Sequence, residues 1–174
     1  PEVTAAIREQ AGRMLHTSTL YLIRQQVELA EMIAELSGIP DARVFFTTSG
    51  TEANEAALLV ASSYRRSSQI VAVRNSYHGR SFATIGITGN RGWSPSSLTP
   101  FQVSYMQSGY RFRSPFRDLD DGAFIDACAE DLRDVIATQT AGDIAALIAE
   151  PVQGVGGFAI PPDGFFGPIE KVCR

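Results

Sequence analysis

Three short stretches carry residues whose types and spacing could do chemistry, and each follows an apolar run. The first is Thr47-Thr48-Ser49-Gly50-Thr51-Glu52, after "RVFF". Ser49 and Glu52 have the spacing of a capping box, in which a hydroxyl and a carboxylate each satisfy an N–H group at a helix start. A hydroxyl-Gly-hydroxyl turn opening a helix also offers an anion free N–H groups and the positive end of the helix dipole. Spacing alone leaves both readings open. Neither a GxGxxG fingerprint nor a P-loop with its lysine is present, and the glycines of "GITGNRG" are spaced for neither.

The second stretch is Asn75 to Gly79, after "QIVAVR". Tyr77 could stack on a flat ligand ring. His78 could hydrogen-bond a ligand or exchange a proton, although the local sequence offers it no carboxylate partner. The alternative is a turn with a half-buried aromatic. The third is Glu150-Pro151-Val152-Gln153-Gly154, after "IAALIA". A carboxylate ending an apolar strand is not left unpaired. Pro151 breaks the strand, and the Gly-rich loop beyond leaves room for a ligand or a partner chain.

The elements that must position these stretches alternate along the chain. "QQVELAEMIAELSG" sets Leu29, Ile33 and Leu36 on one helical face and stops at Gly38. "ARVFF" reads as a short buried strand, and "TEANEAALLVASSYRRS" as a helix with Ala56, Leu59, Val60 and Ser63 facing inward. "QIVAVR", "FQVSYMQ" and "IAALIAEP" read as further strands. "SFATIGITG" reads as a short helix or helical turn, and "GAFIDACAEDLRDVIATQ" as an amphipathic helix. Strands alternating with helices predict an α/β fold, a mainly parallel sheet with helices on both faces. Ligands of such sheets bind beyond the carboxyl ends of the strands, where all three polar stretches fall. Residues 90–100, "NRGWSPSSLTP", form the longest expected loop.

Bulk properties narrow the function classes. The 174 residues are 44% hydrophobic and 20% charged with a net charge of -4, which fits a globular protein and argues against nucleic acid or an anionic membrane as partner. No apolar run spans a bilayer, residues 1–10 lack the apolar core of a signal peptide, and the expected location is cytoplasmic. Cys128 falls on the apolar stripe of its helix and is expected in the core. With Cys128, Cys173, His16 and His78 as the only such residues, no zinc spacing exists and no metal is expected. "YRFRSPFR" interleaves Arg111, Arg113 and Arg117 with aromatics; in an acidic chain it reads as an exposed or interfacial loop rather than an RNA patch.

Together, "SGTEANEAA", "NSYHGR" and "AEPVQGVGG" resemble, in order and spacing, the class III, fold type I pyridoxal-phosphate aminotransferases. "LHTSTLY", Leu15 to Tyr21, is similar to a segment near the start of that family's large domain. The likeness runs from about Leu15 to the end of the chain. It implies a 1–40 helical segment leading into a large domain, of which residues 41–174 are the N-terminal half. It implies that Ser49, Gly50 and Thr51 bind the phosphate of pyridoxal 5'-phosphate, largely through backbone N–H groups. Tyr77 would stack on the pyridine ring with His78 beside it, and Glu150 and Gln153 would line the site. Amino acid and 2-oxo acid substrates and a homodimer with its active site at the subunit interface are implied too, with "LHTSTLY" and the Arg-rich loop near that boundary.

Two departures qualify what the resemblance implies. The family's cofactor-bearing lysine is not matched, since the only lysine is Lys171 in "IEKVCR", and the later segment with the Asp that pairs with the pyridine nitrogen is absent. Together with a start lacking Met and a stop inside a helix pattern, this reads as a fragment that is inactive alone. Val155 stands where 4-aminobutyrate and ornithine enzymes usually carry Glu, which points toward the alanine–glyoxylate-like branch. An aminomutase or lyase using the same cofactor, and a non-catalytic truncated chain, are the alternatives.

Overall fold

The computed structural model describes residues 1–95 and 98–174. Contacts divide the chain into two compact units, Pro1–Phe46 and Thr47–Arg174. In the first, α1 (Glu2–Arg13) and α2 (Arg24–Ser37) are joined by a Gln25 Nε2 to Gln10 Oε1 hydrogen bond of 3.0 Å. Helix α2 stops where Gly38 takes a left-handed conformation (φ 65°), which glycine adopts without a Cβ penalty. Neither helix has a buried residue. The expected strand at 42–46 does not form, and Phe45 is 80% exposed. A strand exists through a ladder, and no described strand pairs with these residues.

The second unit is built on a three-stranded parallel sheet, β1 (Gln69–Val73), β2 (Gln102–Met106) and β3 (Ala146–Ile148), in the order β2-β1-β3. The register aligns Val71 with Ser104 and with Leu147. Central β1 is apolar because both its faces are covered. Ile70 enters a cluster with Leu58 of α3 (Gly50–Arg65) and with Ala83 and Ile87 of and after α4 (Phe82–Gly86). Val71 and Val73 enter another with Phe124, Cys128 and Leu132 of α5 (Asp121–Gln139) and Ile169 of α6 (Phe166–Cys173). Helices therefore lie on both faces, as the alternation predicts.

Phe124, Cys128, Leu132 and Val135 follow the helical repeat and form the buried stripe of α5. Removing the Phe124 ring would cost about 3–5 kcal/mol, the usual range for a fully buried aromatic. Cys128 lies in this stripe, and burial with nearby Asp131 pushes its thiol up to about 12. The expected inward face of α3 is overturned. Leu59 and Val60 are each 68% exposed, Ser63 is exposed, and only Ala56 of the four is partly covered. Leu58 is the buried anchor, with Asn54, Ala61 and Ser62 sharing its side. That stripe sits one position from the most apolar one because Asn54 and Glu55 bond elements ahead of them. Within the expected loop at 90–100, Ser96 and Ser97 lie outside the described residues.

Candidate functional site

The turn before α3 is organised by two side chains. Ser49, the N-cap, accepts the Glu52 N–H at 3.2 Å. The Glu52 carboxylate returns past Ser49 and takes the Thr48 N–H at 2.9 Å and its hydroxyl at 2.5 Å. The box is thus displaced by one residue, and the two Thr48 bonds hold the Glu52 carboxyl below the usual carboxylate range. Among the described residues the Gly50 and Thr51 N–H groups have no acceptor, as at any helix start.

Helix α3 then reaches to the end of β1. Asn54 Nδ2 donates to the His78 carbonyl at 2.8 Å, and Glu55 Oε1 accepts the Ala83 N–H at 3.2 Å. Gly79 has φ 132°, and a Cβ there would fall 2.5 Å from Thr51 Oγ1 and 2.7 Å from Thr84 Oγ1. The Ser49–Thr51 turn and the Tyr77–Gly79 segment are therefore in direct contact. Asn54 and Glu55 were passed over in the sequence, although both sit inside the "SGTEANEAA" stretch.

The third strand end closes on the same place. Glu150 Oε1 accepts the Tyr77 N–H at 2.7 Å, and its Oε2 accepts the Gly154 N–H at 3.0 Å. Gln153 Nε2 donates to the Arg74 carbonyl at 2.8 Å. Asn75, left-handed at φ 63°, receives Asn90 Nδ2 on its Oδ1 at 2.8 Å and donates through Nδ2 to the Gly156 carbonyl at 2.9 Å. Gly156 leaves no room for a side chain, since a Cβ would meet Asn75 O at 2.7 Å. The Tyr77 ring meets the edge of Trp93, with centroids 6.3 Å apart and planes at 87°. Tyr77 is thus fixed at its backbone by Glu150 and at its ring by Trp93.

Two polar atoms here have no partner among the described residues. His78 Nε2 and Gln153 Oε1 are buried without a hydrogen bond, on side chains only 5% and 4% exposed. Burial lowers the His78 pKa, and the Glu150 carboxylate opposes that shift. The carboxylate that the local sequence did not offer His78 comes from the end of the neighbouring strand β3. Unpaired buried polar groups cost about 1–3 kcal/mol each, so a cluster of them calls for a reason.

Ser49, Gly50, Thr51, Tyr77, His78, Glu150 and Gln153 are thus brought together, through Gly79 and Asn54 on one side and through Gly154 and Arg74 on the other. Lys171 takes no part in those contacts; it is exposed on α6. Among the described residues no three metal-ligating side chains cluster, and no helix is long and apolar enough to cross a membrane.

The class-III aminotransferase model matches residues 1–174. The chain belongs to the class-III aminotransferases. It is 38% identical to the acetylornithine aminotransferase of Methanothermobacter thermautotrophicus, across all of this chain and 39% of that protein. It is also 38% identical to the mitochondrial alanine–glyoxylate aminotransferase 2 homolog 2 of Arabidopsis thaliana, over 95% of this chain and 33% of that one. This class-III chain therefore spans well under half the length of these relatives. Among solved structures, an omega-transaminase from Thermomicrobium roseum superposes with a TM-score of 0.87 at 30% identity, covering 99% of this chain and 40% of that one. An omega-transaminase from Pseudomonas jessenii in complex with PMP gives 0.85 at 28% identity, covering 98% and 40%.

Proposed function

We propose that residues 41–174 form the part of a pyridoxal-phosphate-binding large domain that grips the cofactor, with 1–40 leading into it. The whole protein would transfer an amino group between an amino acid and a 2-oxo acid or glyoxylate. The observation that carries this is the pair of unpartnered buried atoms, His78 Nε2 and Gln153 Oε1, beside a helix start with free N–H groups. A phosphate-bearing, hydrogen-bonding ring compound suits that combination. The PMP held by the Pseudomonas jessenii relative is of that class.

In this reading Ser49, Gly50 and Thr51 hold the cofactor phosphate, and the dipole of α3 adds to their N–H groups. Tyr77 packs on the ring, its orientation set by Trp93 and Glu150. His78 and Gln153 hydrogen-bond its polar edge. Burial favours the neutral form of His78, in which Nε2 is donor or acceptor according to the tautomer. Glu150 clamps two backbone N–H groups, and thereby sets the distance between the Tyr77 and Gln153 loops. Bound pyridoxal phosphate supplies the electron sink that transamination requires. The exposed Lys171 has no place in this machinery, and the chain by itself would not transaminate. The reading further includes a cytoplasmic homodimer.

Val155 is half exposed in the loop after Gln153, and the relatives carry acetylornithine and alanine–glyoxylate names at equal identity. The test is amino transfer by the whole protein, with N-acetylornithine and alanine as donors and a 2-oxo acid or glyoxylate as acceptor. Preference for alanine supports the branch that Val155 suggests. Failure of both donors, with cofactor bound, would refute the aminotransferase assignment.

A further inference from the structure

Beside the strand ends lies a second concave surface of different character. An open cleft of about 590 Å³ is walled by Arg74 after β1, by Gln107 and Ser108 after β2, and by Arg113, Ser114 and Arg117 of the loop before α5. No carboxylate lines it. The Arg74 and Arg113 guanidiniums make no ion pair or hydrogen bond with the described residues. Arg117 stands 3.8 Å from exposed Asp118, a pairing that contributes little in solvent.

Neighbouring groups are engaged otherwise. Arg111, on the same loop, pairs with Asp121, donates to the Arg117 carbonyl at 3.2 Å and lies over the Phe124 ring at 5.7 Å. It anchors the loop and so places Arg113 and Arg117. Asp131 is occupied by the Gln107 N–H at 2.7 Å. Ser108 and Ser114 are buried, and their hydroxyl oxygens accept the Tyr110 and Phe116 N–H groups at 3.2 and 3.1 Å. Each still has its O–H to donate. The wall therefore combines three cations with hydroxyl and amide donors, and of the three only Arg117 has a carboxylate beside it among the described residues, so the like charges repel with little to offset them.

We infer that this cleft binds a small oxyanion carrying two negative charges, of the phosphate or dicarboxylate class, at a site separate from the start of α3. Bidentate guanidinium forks match both ligand types, and the serine hydroxyls add donors at the cleft wall. The site also touches the neighbouring machinery. The carbonyl of Arg74 holds Gln153, so an anion on Arg74 contacts the residue that anchors Gln153.

The test is a titration of the isotope-labelled full chain with inorganic phosphate, succinate and chloride at matched ionic strength, followed through backbone amide shifts. Saturable shifts at Gln107, Ser108 and Ser114 with phosphate or succinate support the site, and the tighter of the two identifies the ligand source. Arg74→Gln, and Arg113→Gln with Arg117→Gln, should each weaken binding about tenfold or more while leaving distant amide signals in place. Three results overturn the inference: shifts confined to Gly50 and Thr51, an equal response to chloride, or unchanged affinity in both variants.

Discussion

Replacing Glu150 with Gln tests the tie that joins the Tyr77 and Gly154 loops. The native carboxylate accepts one N–H on each oxygen, at 2.7 and 3.0 Å. An amide accepts only through its oxygen, so one of the two N–H groups must face an NH₂ donor instead. One bond weakens from charge-assisted to neutral, and the other is replaced by an unsatisfied donor. With Glu150 half-buried, the two changes together should cost about 2–3 kcal/mol. For a chain of this length that corresponds to a fall of about 4–12 °C in Tm. Thermal and urea unfolding measure the loss, and the amide exchange rates of Tyr77 and Gly154 report which bond has gone. The variant should also lower the His78 pKa further, because Glu150 is the group that opposes its desolvation. Stability within about 0.5 kcal/mol of the parent, the scatter of ordinary surface changes, with both amides still protected would refute the clamp.

Gly79→Ala should destabilise by about 1–3 kcal/mol, since φ 132° and the Thr51 and Thr84 hydroxyls both resist a Cβ; urea unfolding checks it. The His78 pKa is lowered from 6.5 in the folded chain, so neutral His78 is the form the fold favours. Its contribution is complete above the unfolded value and is lost as pH falls from there through the folded value; His78→Gln should flatten that part of a stability-against-pH curve. In native buffer a thiol reagent should label exposed Cys173 and leave Cys128 untouched until the chain unfolds, as mass spectrometry would record. Thr51→Val and Tyr77→Ala should each weaken pyridoxal-phosphate binding by the whole protein by about 1 kcal/mol, read by absorbance titration.

How much of this was legible in the sequence depended on how local each cause was. The N-cap of α3, the Gly38 stop and the α5 stripe rest on residues a turn or two apart, and all three appear as read. "ARVFF" has strand composition, but a ladder also needs a partner, which composition cannot supply. Leu59 and Val60 drew the inward face of α3 toward themselves by apolarity. Long-range bonds from Asn54 and Glu55 decided it otherwise. The Glu150 to Tyr77 bond spans 73 residues, so no local reading of "NSYHG" could have found it. Trp93 lay in a stretch read only as loop, and an isolated aromatic among Ser, Pro and Gly gave no sign of its partner.

The ties that join the start of α3 to the ends of β1 and β3 run from a side chain to a main-chain atom: Asn54 to His78 O, Glu150 to two N–H groups, Gln153 to Arg74 O, Asn75 to Gly156 O. A main-chain atom is present whatever side chain stands there. The residue that reaches is therefore constrained, while the residue that is reached keeps its side chain free for other work. Positions 74 and 77 can exchange what they present to a ligand without loosening the knot. Most of the holding is thus done through main-chain atoms, which remain in place when the side chain at position 74 or 77 changes.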